Sequence, residues 1–262
     1  MFYNIFKTVK KGKLVANEEA EAAPLAKVYV PHKGEHWHRW IERRPIKLML
    51  ISMVVILIGG LIELIPTFMI KENVPTISNV KPYTPLELQG RDIYVREGCY
   101  TCHSQMIRPF RSETERYGEY SKAGEFVYDH PFQWGSKRIG PDLAREGSVQ
   151  KDSWHLHHLQ DPSAMSPGSI MPSYEFLIRQ KLDTSTTVAK IRAMQTLGVP
   201  YPKGYEYSAN SDLAAQADSI RTSLKTDNII IPADREVIAL IAYLQRLGKD
   251  IKANNQTNEI KK

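Results

Sequence analysis

Cysteine is scarce. The 262 residues hold two, Cys99 and Cys102, which excludes a disulfide-rich scaffold. A second C-x-x-C pair is missing, so a structural zinc site would lack about half of its four ligands. Alternating apolar and polar stretches are almost absent. That argues against a sheet, and against the βαβ setting of a thioredoxin-like dithiol. No internal repeat is evident. Long apolar runs are missing too, with one exception. The net charge of +6 is moderate. Much of it gathers just before that exception, so it reports membrane topology rather than nucleic acid.

The exception is "LMLISMVVILIGGLIELIPTFMI", residues 48–70, with Glu63 as its single charge. As a helix it spans roughly 34 Å, enough to cross a bilayer core. It starts too far from the N-terminus for a cleaved signal peptide, and no A-x-A-like site follows it. A buried soluble helix would hardly carry so long an uncharged run. Arg39, Arg43, Arg44 and Lys47 crowd its N-terminal side, with Trp37 and Trp40 as interface markers. The positive-inside rule then places the N-terminus in the cytoplasm and most of the chain outside. Gly59 lies four residues before Glu63, so the two share a face against which another helix can pack.

The chain divides by composition into a cytoplasmic arm (1–45), a transmembrane anchor (46–70) and a proline-bearing linker (71–83). A main domain (84–248) and a polar tail (249–262) follow. In the main domain, "TPLELQGRDIYVREGCYTCH" reads as a first helix started by Thr84 or Pro85. "PADREVIALIAYLQRLG" reads as a last helix with Pro232 in its first turn and Gly248 at its stop. Val237, Leu240, Ile241, Leu244 and Leu247 form its apolar stripe. Short helices are expected around "WHLHHL", "IRQK" and "VAKIRAMQTLG". Residues 201–227 read only as a surface segment. The expected fold is mostly α.

Cys99-Tyr-Thr-Cys102-His103 is the C-x-x-C-H attachment sequence of c-type haem. Two cysteines one helical turn apart can form thioethers to the two haem vinyl groups, and the adjacent histidine presents its imidazole to the iron. The cofactor expected is one covalent haem c. In bacteria such attachment takes place outside the cytoplasmic membrane, in agreement with the charge-based orientation. A second axial ligand is often methionine. Met106 is too close to His103 to cross the ring, and Met194 lies in an amphipathic stretch beyond the haem-binding core. Met165 and Met171 both sit in "DPSAMSPGSIMPSY" and both stay open on position alone. His155, His157 and His158 tempt a metal-site reading, but an exposed or partly packed helix face suits them better.

"IGPDLAREG" resembles the Gly-Pro-x-Leu segment of class I cytochromes c, in which the proline, Pro141 in this chain, supports the proximal histidine. Gly90 and Tyr94 in the first helix would then meet Tyr243 in the last. The stretch "GRDIYVREGCYTCHSQMIRPFRSETERYGEYSKAGEFVYDHPFQWGSKRIGPDLAREG" resembles the mono-haem cytochrome c subunit of cbb3-type cytochrome c oxidases. So do "SIMPSYEFL", "LGVPYP" and "LIAYLQRLG", and "HRWIERRPIKLMLISMVVILIGGLIELIP" resembles that subunit's membrane anchor. The resemblance covers about residues 36–248. It implies a single N-terminal transmembrane helix plus a class I cytochrome c-like domain with insertions, and axial iron ligands His103 and Met171. It also implies an electron-transfer subunit with no oxygen chemistry of its own. Electrons would come from a di-haem cytochrome c subunit or another external cytochrome c. They would go to a catalytic haem-copper oxidase subunit that reduces oxygen and pumps protons. The location would be the bacterial inner membrane, with the haem domain periplasmic. A membrane-tethered shuttle without a fixed oxidase is the alternative.

Between His103 and Gly140 lie 36 residues rich in aromatics, long for a plain connector. They suit a docking surface for the catalytic subunit. Arg108, Arg111, Arg138 and Trp134 within them are candidates to contact the haem propionates, because an arginine fork matches a carboxylate.

Overall fold

The computed structural model describes residues 2–12, 36–69, 76–135 and 137–252. The central part of the arm (13–35), the first part of the linker (71–75) and the end of the tail (253–262) lie outside the described residues. The chain forms two compact units, Met1–Ile65 and Pro66–Lys262. Among the described residues every regular element is helical, and one isolated bridge, Lys181 to Arg235, is the only extended pairing.

The first unit contains α1 (Phe2–Lys11), α2 (Trp37–Glu42) and most of α3 (Pro45–Met69). Pro45–Thr67 is apolar enough to cross a membrane, with mean hydropathy 2.7. Its leucines, isoleucines and valines are exposed, as a helix facing lipid requires. At its N-terminal end the Arg44 guanidinium sits 4.4 Å over the Trp40 ring and Lys47 sits 5.3 Å from it.

The second unit is built around α4 (Pro85–Arg96) and α11 (Glu236–Arg246). Thr84 caps α4: its hydroxyl accepts from Glu87 N at 3.3 Å, and Thr84 N donates to Glu87 Oε2 at 2.8 Å. The helix does not continue to His103 as its sequence suggests. It stops at Arg96 because Gly98 turns left-handed, with φ 71°. A short 3-10 turn, Cys99–Thr101, follows. α11 also begins later than expected, at Glu236. Pro232 lies outside it because Ala233 and Asp234 form a turn and Arg235 is extended to meet residues 180–182, with Leu182 N donating to Asp234 O and Glu236 N to Gln180 O.

The two helices touch backbone to backbone. A Cβ added at Gly90 would lie 1.9 Å from the Ala239 carbonyl oxygen and 2.8 Å from Tyr243 Cβ. Glycine at 90 is thus a condition of the packing. Beside it the Tyr94 and Tyr243 rings meet at a tilt of 57°, with centroids 5.3 Å apart. Val237, Leu240, Ile241, Leu244 and Leu247 are all buried, whereas Val95 turns to solvent.

The remaining helices are α5 (Arg111–Tyr117), α6 (Asp152–Gln160), α7 (Pro162–Met165), α8 (Phe176–Arg179), α9 (Thr187–Thr196) and α10 (Tyr205–Thr226). α10 occupies the segment that sequence left as surface. It buries Ala209, Leu213, Ala217, Ile220 and Leu224, spaced by three and four, which is one helix face.

Candidate haem-binding site

The C-x-x-C-H turn is held from both sides in sequence. His103 N donates to Cys99 O at 2.9 Å, closing the turn. The segment after the insertion then pairs onto it: Ile139 N and Gly140 N donate to Cys102 O at 2.9 and 3.1 Å, and Leu143 N donates to Ser104 O at 2.9 Å. This pairing brings Pro141 to the imidazole, where the Pro141 carbonyl oxygen lies 2.9 Å from His103 Nδ1. With Nδ1 donating to that carbonyl, the lone pair on Nε2 is left available to accept or to ligate. A Cβ at Gly140 would fall 2.2 Å from His103 Cε1, so glycine lets this segment lie flat against the ring. Tyr94 donates to the His103 carbonyl at 3.1 Å, linking the turn to α4.

One cavity gathers the expected ligands. It is lined by Cys99, His103, Pro141 and Met171, with Tyr94, Leu143, Trp154, Leu159, Leu240 and Leu244 as apolar wall and Glu146, His155 and His158 as polar wall. Cys102 is not part of that lining; it is half-buried on the adjacent turn. Among the methionines, Met171 reaches the cavity and packs on the main core. Met165 is exposed, and Met194 packs in a separate cluster around Leu88, Ile191 and Ala209.

Burial pushes the Cys99 thiol up to about 12. A redox dithiol needs a lowered thiol pKa to supply its thiolate, so this environment runs against the oxidoreductase reading.

Three buried side-chain nitrogens among the described residues have no hydrogen-bond partner: Arg145 Nε, His155 Nε2 and His158 Nδ1. Two of the three belong to side chains lining this cavity. An unpaired buried donor costs free energy unless a ligand meets it. An apolar slot with two such nitrogens suits a flat apolar macrocycle bearing carboxylates. Burial lowers His155 to about 4, so its imidazole is neutral near pH 7, and burial raises Glu146, whose Oε1 lies 3.7 Å from His155 Nε2.

The histidine triplet meets the expectation of an exposed or partly packed face at two positions and departs from it at His155. His155 is buried, His158 is half-buried and stacks on Trp154 at 4.6 Å, and His157 alone is exposed. The signal was present in the sequence: 155 and 158 are three apart and share a helix face, while 157 does not.

The four propionate candidates stand elsewhere. Arg108 donates from Nε to Glu113 Oε1 at 2.5 Å, and Arg111 donates to Glu115 at 2.7 Å. Arg138 is divided among Glu113, Ser104 and the Met106 carbonyl. Trp134 meets Phe126 edge to face and Phe132 at a tilt. None of the four lines the cavity, because neighbouring carboxylates and aromatics already engage them. Asp142, which sequence reasoning passed over, fixes the clamp by accepting from Ser104 Oγ, Met106 N and Ala144 N.

No curated protein matches the chain. The family model described as cytochrome C oxidase, mono-heme subunit/FixO matches residues 38–251, a stretch that holds the apolar helix, the C-x-x-C-H turn and the whole cavity. The chain belongs to the FixO family of mono-haem cytochrome c oxidase subunits.

Proposed function

We propose that the chain carries one covalent haem c and relays electrons from an external c-type cytochrome to the haem-copper subunit of a cbb3-type oxidase. The observation that supports this best is the single cavity shared by Cys99, His103, Pro141 and Met171. Cys99 and Cys102 would hold the group by thioether links, and His103 Nε2 and Met171 Sδ would be the atoms that ligate its iron. The bound haem supplies a one-electron iron couple. Pro141 orients His103 through the Nδ1 contact. His155 and His158 take over the propionate role first assigned to Arg108, Arg111, Trp134 and Arg138. The leucines of the wall keep water from the iron, which tunes its potential. The polypeptide moves electrons only; its partner reduces oxygen and pumps protons. The arm lies in the cytoplasm and the haem domain in the periplasm, by the basic cluster before α3. Glu63 and Gly59 face the catalytic subunit within the membrane.

A pyridine haemochrome spectrum of the purified chain should show a c-type band, and the band should stain for haem on a denaturing gel. Undiminished staining of a Cys99→Ser/Cys102→Ser double variant would overturn covalent attachment. Met171→Leu should abolish the weak sulfur-to-iron charge-transfer band of the ferric protein. Survival of that band in Met171→Leu, with its loss in Met165→Leu, would move the assignment to Met165. Co-purification with a stoichiometric b-type haem subunit separates the oxidase reading from a free shuttle.

A further inference from the structure

Helix α1 has no role in the haem chemistry. Its sequence, FYNIFKTVKK, contains no acidic residue and ends in Lys10 and Lys11. Tyr3, Phe6 and Val9 are exposed and recur every three residues, so they form one apolar face. Lys7 sits 5.3 Å over the Tyr3 ring and Lys10 sits 5.0 Å over the Phe6 ring. The lysines thus border the apolar face with their charged ends alongside it, the arrangement of a side chain that buries its stem and keeps its head at a polar boundary. A helix of ten residues is marginal in water on its own, so it needs a surface against which to form.

The chain's topology indicates which surface. Between Gly12 and Arg44 charged residues recur every few positions and no apolar run is long enough to cross a bilayer. α1 therefore emerges on the same side as Arg39, Arg43, Arg44 and Lys47, the basic end of α3. Excess lysine and arginine mark the leaflet side that carries anionic lipid. A short helix with an apolar aromatic face and a lysine border is the form that lies in such an interface.

We infer that α1 is a second membrane contact: it lies in the plane of an anionic bilayer surface, with Tyr3, Phe6 and Val9 inserted and Lys7, Lys10 and Lys11 on the lipid phosphates. The inference goes beyond the electron-transfer reading and does not depend on haem being bound. It requires only that α3 spans.

The test uses the full chain in nanodiscs of phosphatidylcholine alone or of phosphatidylcholine with phosphatidylglycerol. Backbone hydrogen exchange over residues 2–11 is the readout. Exchange should be about tenfold slower in the anionic discs, and high salt should reduce that difference. Phe6→Gln should lose the protection and Phe6→Leu should keep it. A Lys7→Gln/Lys10→Gln/Lys11→Gln variant should exchange alike in both lipids. Equal exchange of the unmodified chain in the two discs, fast or slow, overturns the inference. Protection that arises only when the oxidase partner is present also overturns it, and assigns the face to a protein.

Discussion

Helices α4 and α11 are held together mainly by apolar contact, with the Arg96–Glu236 and Glu87–Arg246 ion pairs at the two ends. The chain between His103 and Glu146 is held by arginines and carboxylates. In α11 the buried side chains are apolar apart from Glu236. In residues 104–146 the buried set includes Ser104, Gln105, Glu113, Asp129, Gln133, Asp142 and Arg145. The difference follows from backbone needs. A helix satisfies its own N–H and C=O groups, so its side chains are free to be apolar. An irregular segment must find partners for its carbonyls, and here arginines supply them. Arg91 donates to Pro131 O at 2.5 Å and also binds Asp129. Arg138 donates to Met106 O at 2.5 Å and to Glu113. Arg145 donates to Glu119 O at 2.9 Å and forks onto Glu125. Each guanidinium thus joins loop carbonyl oxygen to carboxylate, a use that its planar array of donors permits.

Four substitutions probe this contrast. The largest effect belongs to the helix pair. Gly90→Leu sets side-chain atoms where the Ala239 carbonyl stands, and rigid backbone cannot yield as a side chain would. A loss on the order of 4 kcal/mol is expected; an unchanged denaturant midpoint would show that the helices have room to part. Second is Arg91→Met, which leaves the fully buried Asp129 carboxylate without its cation. Breaking such a pair costs about 3–5 kcal/mol. A companion Arg91→Met/Asp129→Leu variant should recover part of that loss in urea titrations, and no recovery would mean that the Pro131 carbonyl matters more than the charge.

The third concerns acid. Arg138, with Arg108 beside it, holds the Glu113 carboxyl down at about 2 from an ordinary 4.5. A depressed carboxyl stabilises the fold above its unfolded pKa, and that contribution is lost as pH falls from 4.5 towards 2. Thermal unfolding across that window should therefore fall more steeply for the wild type than for Glu113→Gln, and parallel curves would remove Glu113 from the account. The smallest effect is Arg111→Ala. Its side chain is 90% exposed and its partner Glu115 is 63% exposed, so the change should stay within about 0.5 kcal/mol of zero. A larger loss of stability in the isolated chain would mean that the exposed pair matters as much as the buried ones.

The same contrast explains what the sequence made legible. The α4–α11 contact could be read because Leu, Ile and Val repeat at helical spacing in "EVIALIAYLQRLG" and because Gly90 and Tyr94 sit opposite Tyr243. That Cys99, His103 and Met171 share one cavity could be anticipated from the C-x-x-C-H spacing and the resemblance of "MPSY" to the family's segment. The end of α4 was misplaced because the run of helix-compatible residues hides the left-handed turn at Gly98. α10 was missed because two of its five buried positions are alanine, set among serines and aspartates. Such a face carries little apolar signal until α9 and α4 pack on it. His155 lies deeper than an exposed or partly packed face because it shares a helix side with His158, three residues on. Arg108 and Arg138 were sent to the cofactor because sequence does not reveal that Glu113 reaches them first.

The contact between Gly90 and Ala239 joins positions roughly 150 residues apart. Pairings between distant positions form late, since the long loop between them must first close. Leu240 and Leu244, which complete the cavity wall, arrive with that final step. While the chain is emerging, Cys99, Cys102 and His103 therefore stand on an open strand of polypeptide. The order of synthesis itself leaves an interval in which both thiols can be reached, before the last helix closes the wall of the pocket.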